Sequence, residues 1–125
     1  MKKIIYTSNA PQPVGPYSQA IMSGDMLFTS GQIGIDPSQN KMVSDELEDQ
    51  AKQVMENLKN LLYAAGMDFS HVIRCTIFLT DLSNFKTVNE IYGSYFSSEP
   101  PARETAEVSH LPLNAKLEIS IIASL

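Results

Sequence analysis

The chain has 125 residues, of which 43% are hydrophobic and 18% charged, which fits one globular domain with a real core and excludes a disordered protein. Nine Lys and Arg residues against fourteen Asp and Glu residues give a net charge of −5, so the chain has no broad positive field for nucleic acid. The N-terminal stretch turns polar at Thr7, too early for a signal peptide or membrane span, and we expect a cytoplasmic protein.

Three strands are predicted before the first helix. Lys2–Thr7 form a short strand, and after a proline-rich stretch Tyr17–Ser23 and Met26–Ile33 form a hairpin around Gly24-Asp25. Residues 34–43 are predicted to be a loop because they contain Gly34, Pro37, Ser38 and Asn40.

An amphipathic helix follows and is the clearest element of the chain. Ser44 is its predicted N-cap and Gly66 its predicted end. Between them the apolar residues recur at steps of three and four, as a helix with one buried face requires: Leu47, Ala51, Val54, Met55, Leu58, Leu61, Leu62 and Ala65.

The second half of the chain repeats the strand and helix alternation. Ser70–Thr80 form a β-branched strand, and a second amphipathic helix begins at Ser83 and is stopped by Pro100-Pro101. Two final strands, Arg103–Ser109 and Ala115–Ala123, are joined by a turn-rich segment. The inward positions of the second helix are Val88, Ile91, Tyr92, Tyr95 and Phe96.

The order β-β-β-α-β-α-β-β predicts a single α+β domain over residues 1–125. Two right-handed crossovers place both helices on the same face of one mixed sheet. The other face is then either solvated or packed against copies of the same chain, and we expect a homo-oligomer.

Side-chain alternation predicts which residues face the helices. In the last strand the helix-facing set is Leu117 and alternate residues to Ala123, which leaves Glu118 on the helix-free face. In the preceding strand Ala106 and Val108 form the matching apolar set. Arg103 and Thr105 are therefore expected on the same face as Glu118.

Arg103 has the clearest functional pattern. Only one other arginine, Arg74, occurs in the chain, and Arg103 follows the stiff run Pro100-Pro101-Ala102. A guanidinium grips a planar carboxylate through two parallel hydrogen bonds, so a small carboxylate ligand is the first hypothesis. The alternative is an exposed cation at a strand edge.

Neither the cysteine nor the histidines indicate chemistry of their own. Cys75 is the single cysteine and lies in the apolar run Val72–Leu79, which excludes an internal disulfide and predicts a buried thiol. His71 and His110 are far apart and no Cys/His cluster has ligand spacing, so we expect no metal.

Motifs in both halves of the chain follow one known pattern. They are Ala10-Pro11, Gly15-Pro16-Tyr17-Ser18-Gln19-Ala20 and Gly24–Ile33, then Val88-Asn89-Glu90-Ile91-Tyr92, Pro101-Ala102-Arg103, and Leu111-Pro112 with Leu117-Glu118-Ile119. In this order they resemble the RidA/YjgF family, the reactive intermediate deaminases, over essentially the whole chain.

The resemblance implies a two-layer, chorismate-mutase-like fold with ferredoxin-like topology. It also implies a homotrimer whose sheets enclose a central barrel, with ligand pockets at the subunit interfaces. The implied reaction is hydrolysis of 2-imino and enamino acids, such as 2-aminoacrylate, 2-iminopropanoate and 2-iminobutanoate, to 2-keto acids and ammonia. The resemblance implies no cofactor.

Three residues receive catalytic roles from the resemblance. Arg103 would hold the substrate carboxylate, Glu118 would orient or deprotonate a water molecule, and Tyr17 would contact substrate or water. The alternatives are a solvated strand carboxylate for Glu118 and an interface aromatic for Tyr17.

The remaining predicted substrate-binding residues are Ser30, Gly31, Asn89 and Thr105. Asn89 has the alternative role of tying the helix to a loop. Many family members carry a cysteine where this chain has Thr105, so a contact there is expected from the backbone. Glu104 replaces a small or hydroxylic residue, and alternation should point it away from Arg103.

Two other functions compete with catalysis. The same pocket could bind stable carboxylates or a partner protein as a regulator without turnover. A ribonuclease or translation-inhibitor function has also been attached to the family, but the acidic pI of about 4.9 and the scarcity of arginine weigh against it.

Overall fold

The computed structural model describes residues 1–125 and contains a mixed sheet, a separate hairpin and two α-helices. The helices are α1 (Leu47–Ala64) and α2 (Phe85–Gly93). The strands are β1 (Lys2–Ile5), β2 (Ala20–Ser23), β3 (Met26–Thr29), β4 (Ile35–Asp36), β5 (Lys41–Met42), β6 (Val72–Leu79), β7 (Ala102–Glu107) and β8 (Leu117–Ser124).

Six strands form the main sheet in the order β1-β2-β3-β8-β6-β7. Neighbours are antiparallel except β6 and β7, which α2 joins as a parallel pair. The predicted α+β architecture and element order are confirmed. The predicted loop at 34–43 is wrong in part, because β4 and β5 form a two-stranded hairpin there.

The core lies between one face of the sheet and α1, the longer helix. Val54, Leu58 and Leu61 of α1 are fully buried, as their spacing predicts. In β8 the alternation is also confirmed, because Leu117 and every second residue to Ala123 are at most 3% exposed. Neither helix is long and apolar enough to cross a membrane.

Both helices begin later than the sequence predicts. Ser44 is not the N-cap of α1, because its hydroxyl accepts the Glu46 N–H (3.0 Å) and donates to Asp49 (2.8 Å), which closes a local turn ahead of the helix. Ser83 lies in a short 3₁₀ turn that Asp81 caps, and α2 follows from Phe85.

The predicted orientation of β7 is wrong. Arg103 pairs with Cys75 and Thr105 pairs with Ile77, and paired residues of neighbouring strands point to the same face. Cys75 and Ile77 are buried beneath the helices, so Arg103 and Thr105 face the helices as well. Glu118 pairs with Phe78 on the opposite face of the sheet.

Two fully buried polar side chains fasten α1 to the loops beside the sheet. Gln50 accepts the Lys116 N–H (2.9 Å) and donates to the Ser44 carbonyl (3.0 Å). Asn57 donates to the Ile35 carbonyl (2.9 Å). These bonds satisfy backbone groups that packing would otherwise leave without partners, and they fix the segments that flank β3 and β8.

Gly34 and Gly93 give a matched test of this packing. A Cβ atom at Gly34 would lie 2.9 Å from the Gln50 Cα, so we expect Gly34→Ala to lower the free energy of unfolding by about 1–3 kcal/mol. A Cβ at Gly93 would meet nothing within 4 Å, so Gly93→Ala should leave stability unchanged or raised. Urea denaturation at equal protein concentration measures both, and equal losses would contradict this account.

Candidate active site

A break in the pairing of β3 with β8 opens the sheet. The Ile121 N–H donates to the Thr29 side-chain oxygen (3.0 Å) instead of to a backbone carbonyl. Backbone pairing resumes only where Gln32 and Ile119 exchange hydrogen bonds of 2.8 and 3.0 Å. One extra residue therefore lies on the β3 side, a β-bulge that takes Ser30-Gly31 out of the ladder.

Glu118 packs directly against Gly31 at this break. A Cβ atom placed on Gly31 would lie 2.7 Å from the Glu118 carboxyl carbon and 2.9 Å from Oε2. A side chain at position 31 would therefore displace the carboxyl group. Glycine is needed here for close approach of the carboxyl group to the backbone, not for an unusual backbone conformation.

The opening leads into a cavity of about 670 Å³. Its volume suits a small-molecule ligand. Loop residues on both sides of the break complete its walls. The lining includes Tyr17, Ser30, Gly31, Leu113 and Glu118.

Burial raises the pKa of the Glu118 carboxyl group above its ordinary value. The charged form loses hydration in the half-buried site, and no cation of the chain offsets that loss. A carboxyl group whose pKa is raised is a stronger base than an ordinary carboxylate, and it can take and return a proton. Glu118 is therefore suited to general acid–base chemistry.

Tyr17 and Ser30 present their hydroxyl groups to the same cavity. The Tyr17 hydroxyl accepts a long hydrogen bond from the Val14 N–H (3.4 Å), and half of its surface is exposed. The Ser30 hydroxyl donates to the Ser18 carbonyl (2.6 Å). Because that bond uses the hydroxyl proton, the Ser30 oxygen faces a ligand as an acceptor.

Gln19 holds the wall of the cavity in place. This buried side chain accepts the Thr7 N–H (2.8 Å) and donates to the carbonyls of Thr7 (3.0 Å) and Pro11 (2.9 Å). Gln19 was not predicted to have a role in the site. Its position inside the Tyr17–Ala20 motif is the sequence feature that could have indicated this role.

Arg103 lies on the other face of the sheet within an aromatic cluster. Its guanidinium carbon is 5.1 Å from the Phe85 ring centre and 5.2 Å from that of Tyr92, within the range of cation–π contacts. Nη1 donates to the Asn89 oxygen (2.7 Å). The aromatic residues were missed, although Phe85, Asn89 and Tyr92 share one face of α2 by their spacing.

Two buried hydroxyl groups beside Arg103 form no hydrogen bond to an oxygen or nitrogen atom of the chain. They are the buried oxygens of Tyr92 and Thr105. Cys75 is buried, as predicted. Burial raises the pKa of its thiol, which disfavours the reactive thiolate form. Arg103 donates one side-chain hydrogen bond, to Asn89, so most of its N–H donors are free for a ligand.

Glu104 points away from Arg103, as alternation predicts. Its carboxylate forms an ion pair with Arg74 (2.9 Å) and accepts the Thr76 hydroxyl (3.1 Å). These partners hold the pKa of Glu104 below its ordinary value. Glu104 is therefore paired with Arg74 on the helix-free face and does not compete with a ligand for the guanidinium of Arg103.

The structure divides the predicted site residues into two groups. Tyr17, Ser30, Gly31 and Glu118 come together in the cavity, whereas Arg103, Asn89 and Thr105 lie on the helix side of the edge strand. The expectation that Arg103 shares a surface with Glu118 within one chain is wrong. No group of three His, Cys, Asp or Glu side chains is placed to hold a metal ion.

Comparisons with known proteins agree with this fold. The family model described as Endoribonuclease L-PSP matches residues 7–125. Protein DfrA of Myxococcus xanthus is 55% identical over 98% of this chain and 95% of its own length. The 2-iminobutanoate/2-iminopropanoate deaminase of Homo sapiens is 43% identical over 98% of this chain and 90% of its own length. A Yersinia pestis crystal structure described as a Rid family protein of unknown function is 43% identical, has a TM-score of 0.98 and covers 100% of both chains.

Fold and site together define a two-layer α+β protein with a half-buried carboxyl group in a cavity at a sheet break. The family model covers residues 7–125, and the two named relatives are similar over nearly the whole chain. The chain belongs to the RidA/YjgF family, as its motifs predict.

Glu118 and Glu104 should respond to pH with opposite signs. The pKa of Glu118 in the folded protein is raised above 4.5, which means that the ionised carboxylate destabilises the folded state. This destabilisation is complete above the folded-state pKa and fades as the pH falls toward 4.5. The folded pKa of Glu104 is lowered from 4.5, so its stabilising effect is present above 4.5 and is lost as pH falls through the folded pKa.

We therefore expect Glu118→Gln to raise the midpoint of thermal unfolding at pH 7.5 and Glu104→Gln to lower it. The Glu118→Gln difference should shrink as pH falls to 4.5, and the Glu104→Gln difference should shrink below that pH. Calorimetric scans of both variants from pH 3.5 to 8 measure this. Shifts of the same sign at pH 7.5 would contradict the assignment.

Proposed function

We propose that this protein hydrolyses 2-imino and enamino acids, such as 2-iminopropanoate and 2-iminobutanoate, to 2-keto acids and ammonia without a cofactor. The main support for this proposal is the setting of Glu118, whose half-buried carboxyl group has a raised pKa and lies against Gly31 in the cavity. The similarity to a human protein named 2-iminobutanoate/2-iminopropanoate deaminase supports a deaminase.

The reaction needs little beyond placement and proton transfer. The imine carbon is electrophilic, so water adds to the C=N bond once a base accepts its proton. Glu118 takes that proton and gives it to the nitrogen, which forms a tetrahedral adduct with one hydroxyl and one amino group. Glu118 then moves the hydroxyl proton to the amino group, and the C–N bond breaks as the C=O bond forms. Ammonia leaves and the keto acid remains. Tyr17 and Ser30 supply hydroxyl groups that orient the water and the nitrogen.

Arg103 is the proposed anchor for the substrate carboxylate. Its stacking between Phe85 and Tyr92 and its bond to Asn89 fix the guanidinium before a ligand arrives. However, Arg103 is not part of the cavity wall within its own chain. A substrate of a few atoms touches both Arg103 and Glu118 only if they come from different copies.

An unpartnered apolar row supports such an assembly. Ile4, Ile21, Phe28 and Ile122 lie side by side across β1, β2, β3 and β8 on the helix-free face. Ile4 is 62% exposed and Phe28 is 42% exposed, and a continuous apolar surface of this kind favours association. We propose a homotrimer in which each pocket combines Glu118 of one subunit with Arg103 of the next.

The activity test couples the protein to a threonine dehydratase, which releases the enamine in situ. Wild type should accelerate 2-ketobutyrate formation, and Glu118→Gln and Arg103→Ala should each lower the rate roughly 100-fold or more, since each removes proton transfer or carboxylate binding. Arg103→Lys should recover only part of the rate because it keeps the charge but loses the bidentate grip.

The control in this assay is Glu104→Gln, which leaves the cavity intact and should keep the wild-type rate. Isothermal calorimetry with 2-ketobutyrate separates catalysis from binding alone. Tight binding with an unchanged enamine lifetime would show a binding protein and overturn the proposed reaction.

Mixing two inactive variants tests the shared pocket. In randomly mixed trimers of Arg103→Ala and Glu118→Gln subunits, about a quarter of the interfaces combine an intact Arg103 with an intact Glu118. Co-refolded mixtures should therefore regain about a quarter of the wild-type activity, while each variant refolded alone stays inactive. No recovery in mixtures shown to be trimers by light scattering would exclude a pocket between subunits.

A further inference from the structure

Leu113 combines two unfavourable features in one residue. Its backbone is left-handed, with φ of 55°, and its side chain is 65% exposed. A leucine in this region is strained, and an exposed leucine gains nothing from burial. Leu113 also lies outside the hydrophobic core. Packing within a single chain therefore does not account for a leucine here.

The same residue lies on the wall of the cavity that contains Glu118. Val14, from a different loop, also lines that cavity and is 90% exposed. The lining thus has a polar part, which includes Glu118, Ser30 and Tyr17, and an apolar part, which includes Leu113, Val14 and Ile33. A ligand that fits both parts carries a reactive polar group and an apolar side chain.

We propose that Leu113, together with Val14, forms the subsite for the side chain of the substrate and selects 2-imino acids with extended apolar side chains over those with a methyl group. This inference rests on the proposed function of the cavity and adds its substrate preference. The strain at Leu113 is retained because the left-handed turn presents the side chain to the ligand.

Asn114 provides a matched control. It has the same left-handed conformation, with φ of 56°, but does not line the cavity. Glycine adopts the left-handed conformation at either position without strain, so Leu113→Gly and Asn114→Gly should both fold. Only Leu113→Gly removes an apolar contact with substrate.

The test uses imines generated in situ by an L-amino-acid oxidase from leucine and from alanine, with semicarbazide trapping the remaining imine. Leu113→Gly should lower kcat/KM for the leucine-derived imine roughly tenfold and that for the alanine-derived imine less than twofold. Asn114→Gly should keep the wild-type ratio. An unchanged ratio in Leu113→Gly, or an equal change in Asn114→Gly, would overturn the inference.

A binding measurement separates this inference from the proposed reaction. Calorimetry with 4-methyl-2-oxopentanoate and pyruvate should show that Leu113→Gly loses affinity mainly for the larger keto acid. If wild type accelerates no imine, the proposed reaction fails while this measurement still decides the role of Leu113. The subsite is refuted if Leu113→Gly loses affinity equally for both keto acids, or if wild type binds neither of them. An altered oligomeric state with unchanged selectivity also refutes it.

Discussion

The break between β3 and β8 is the constraint on which the site depends. A continuous ladder would place Ser30 and Gly31 in regular pairing and close the sheet. The Thr29 hydroxyl replaces one backbone partner of Ile121, so the ladder is interrupted without an unpaired donor. That exchange lets the Glu118 carboxyl group lie on the Gly31 backbone, which gives it the partial burial that raises its pKa.

The sheet separates the two charged groups that the proposed chemistry requires. Glu118 lies on the helix-free face and Arg103 lies under α2. Desolvation raises the pKa of Glu118, and the contacts with Phe85, Tyr92 and Asn89 hold the guanidinium of Arg103 in place. A single chain therefore keeps the two groups apart, and the proposed reaction depends on the proposed self-association.

Burial determines how far the sequence predicts this protein. The position of α1 and the alternation of β8 follow from apolar periodicity, because both elements are buried along one face. Strand β7 lies at the sheet edge with most side chains exposed, so Ala106 carries no information about the core and the predicted face of Arg103 is reversed. The bulge at Gly31 depends on pairing between residues about 90 positions apart, which local sequence does not encode.

The position of β7 has a consequence for solubility. An edge strand exposes a row of backbone donors and acceptors that another chain can pair with. Arg103, Glu104 and Glu107 make half of this six-residue strand charged on both of its faces. Such a strand is a poor template for uncontrolled strand addition, because an incoming chain would have to desolvate charges of both signs. The charged residues of β7, Arg103 among them, therefore protect this edge from uncontrolled strand pairing.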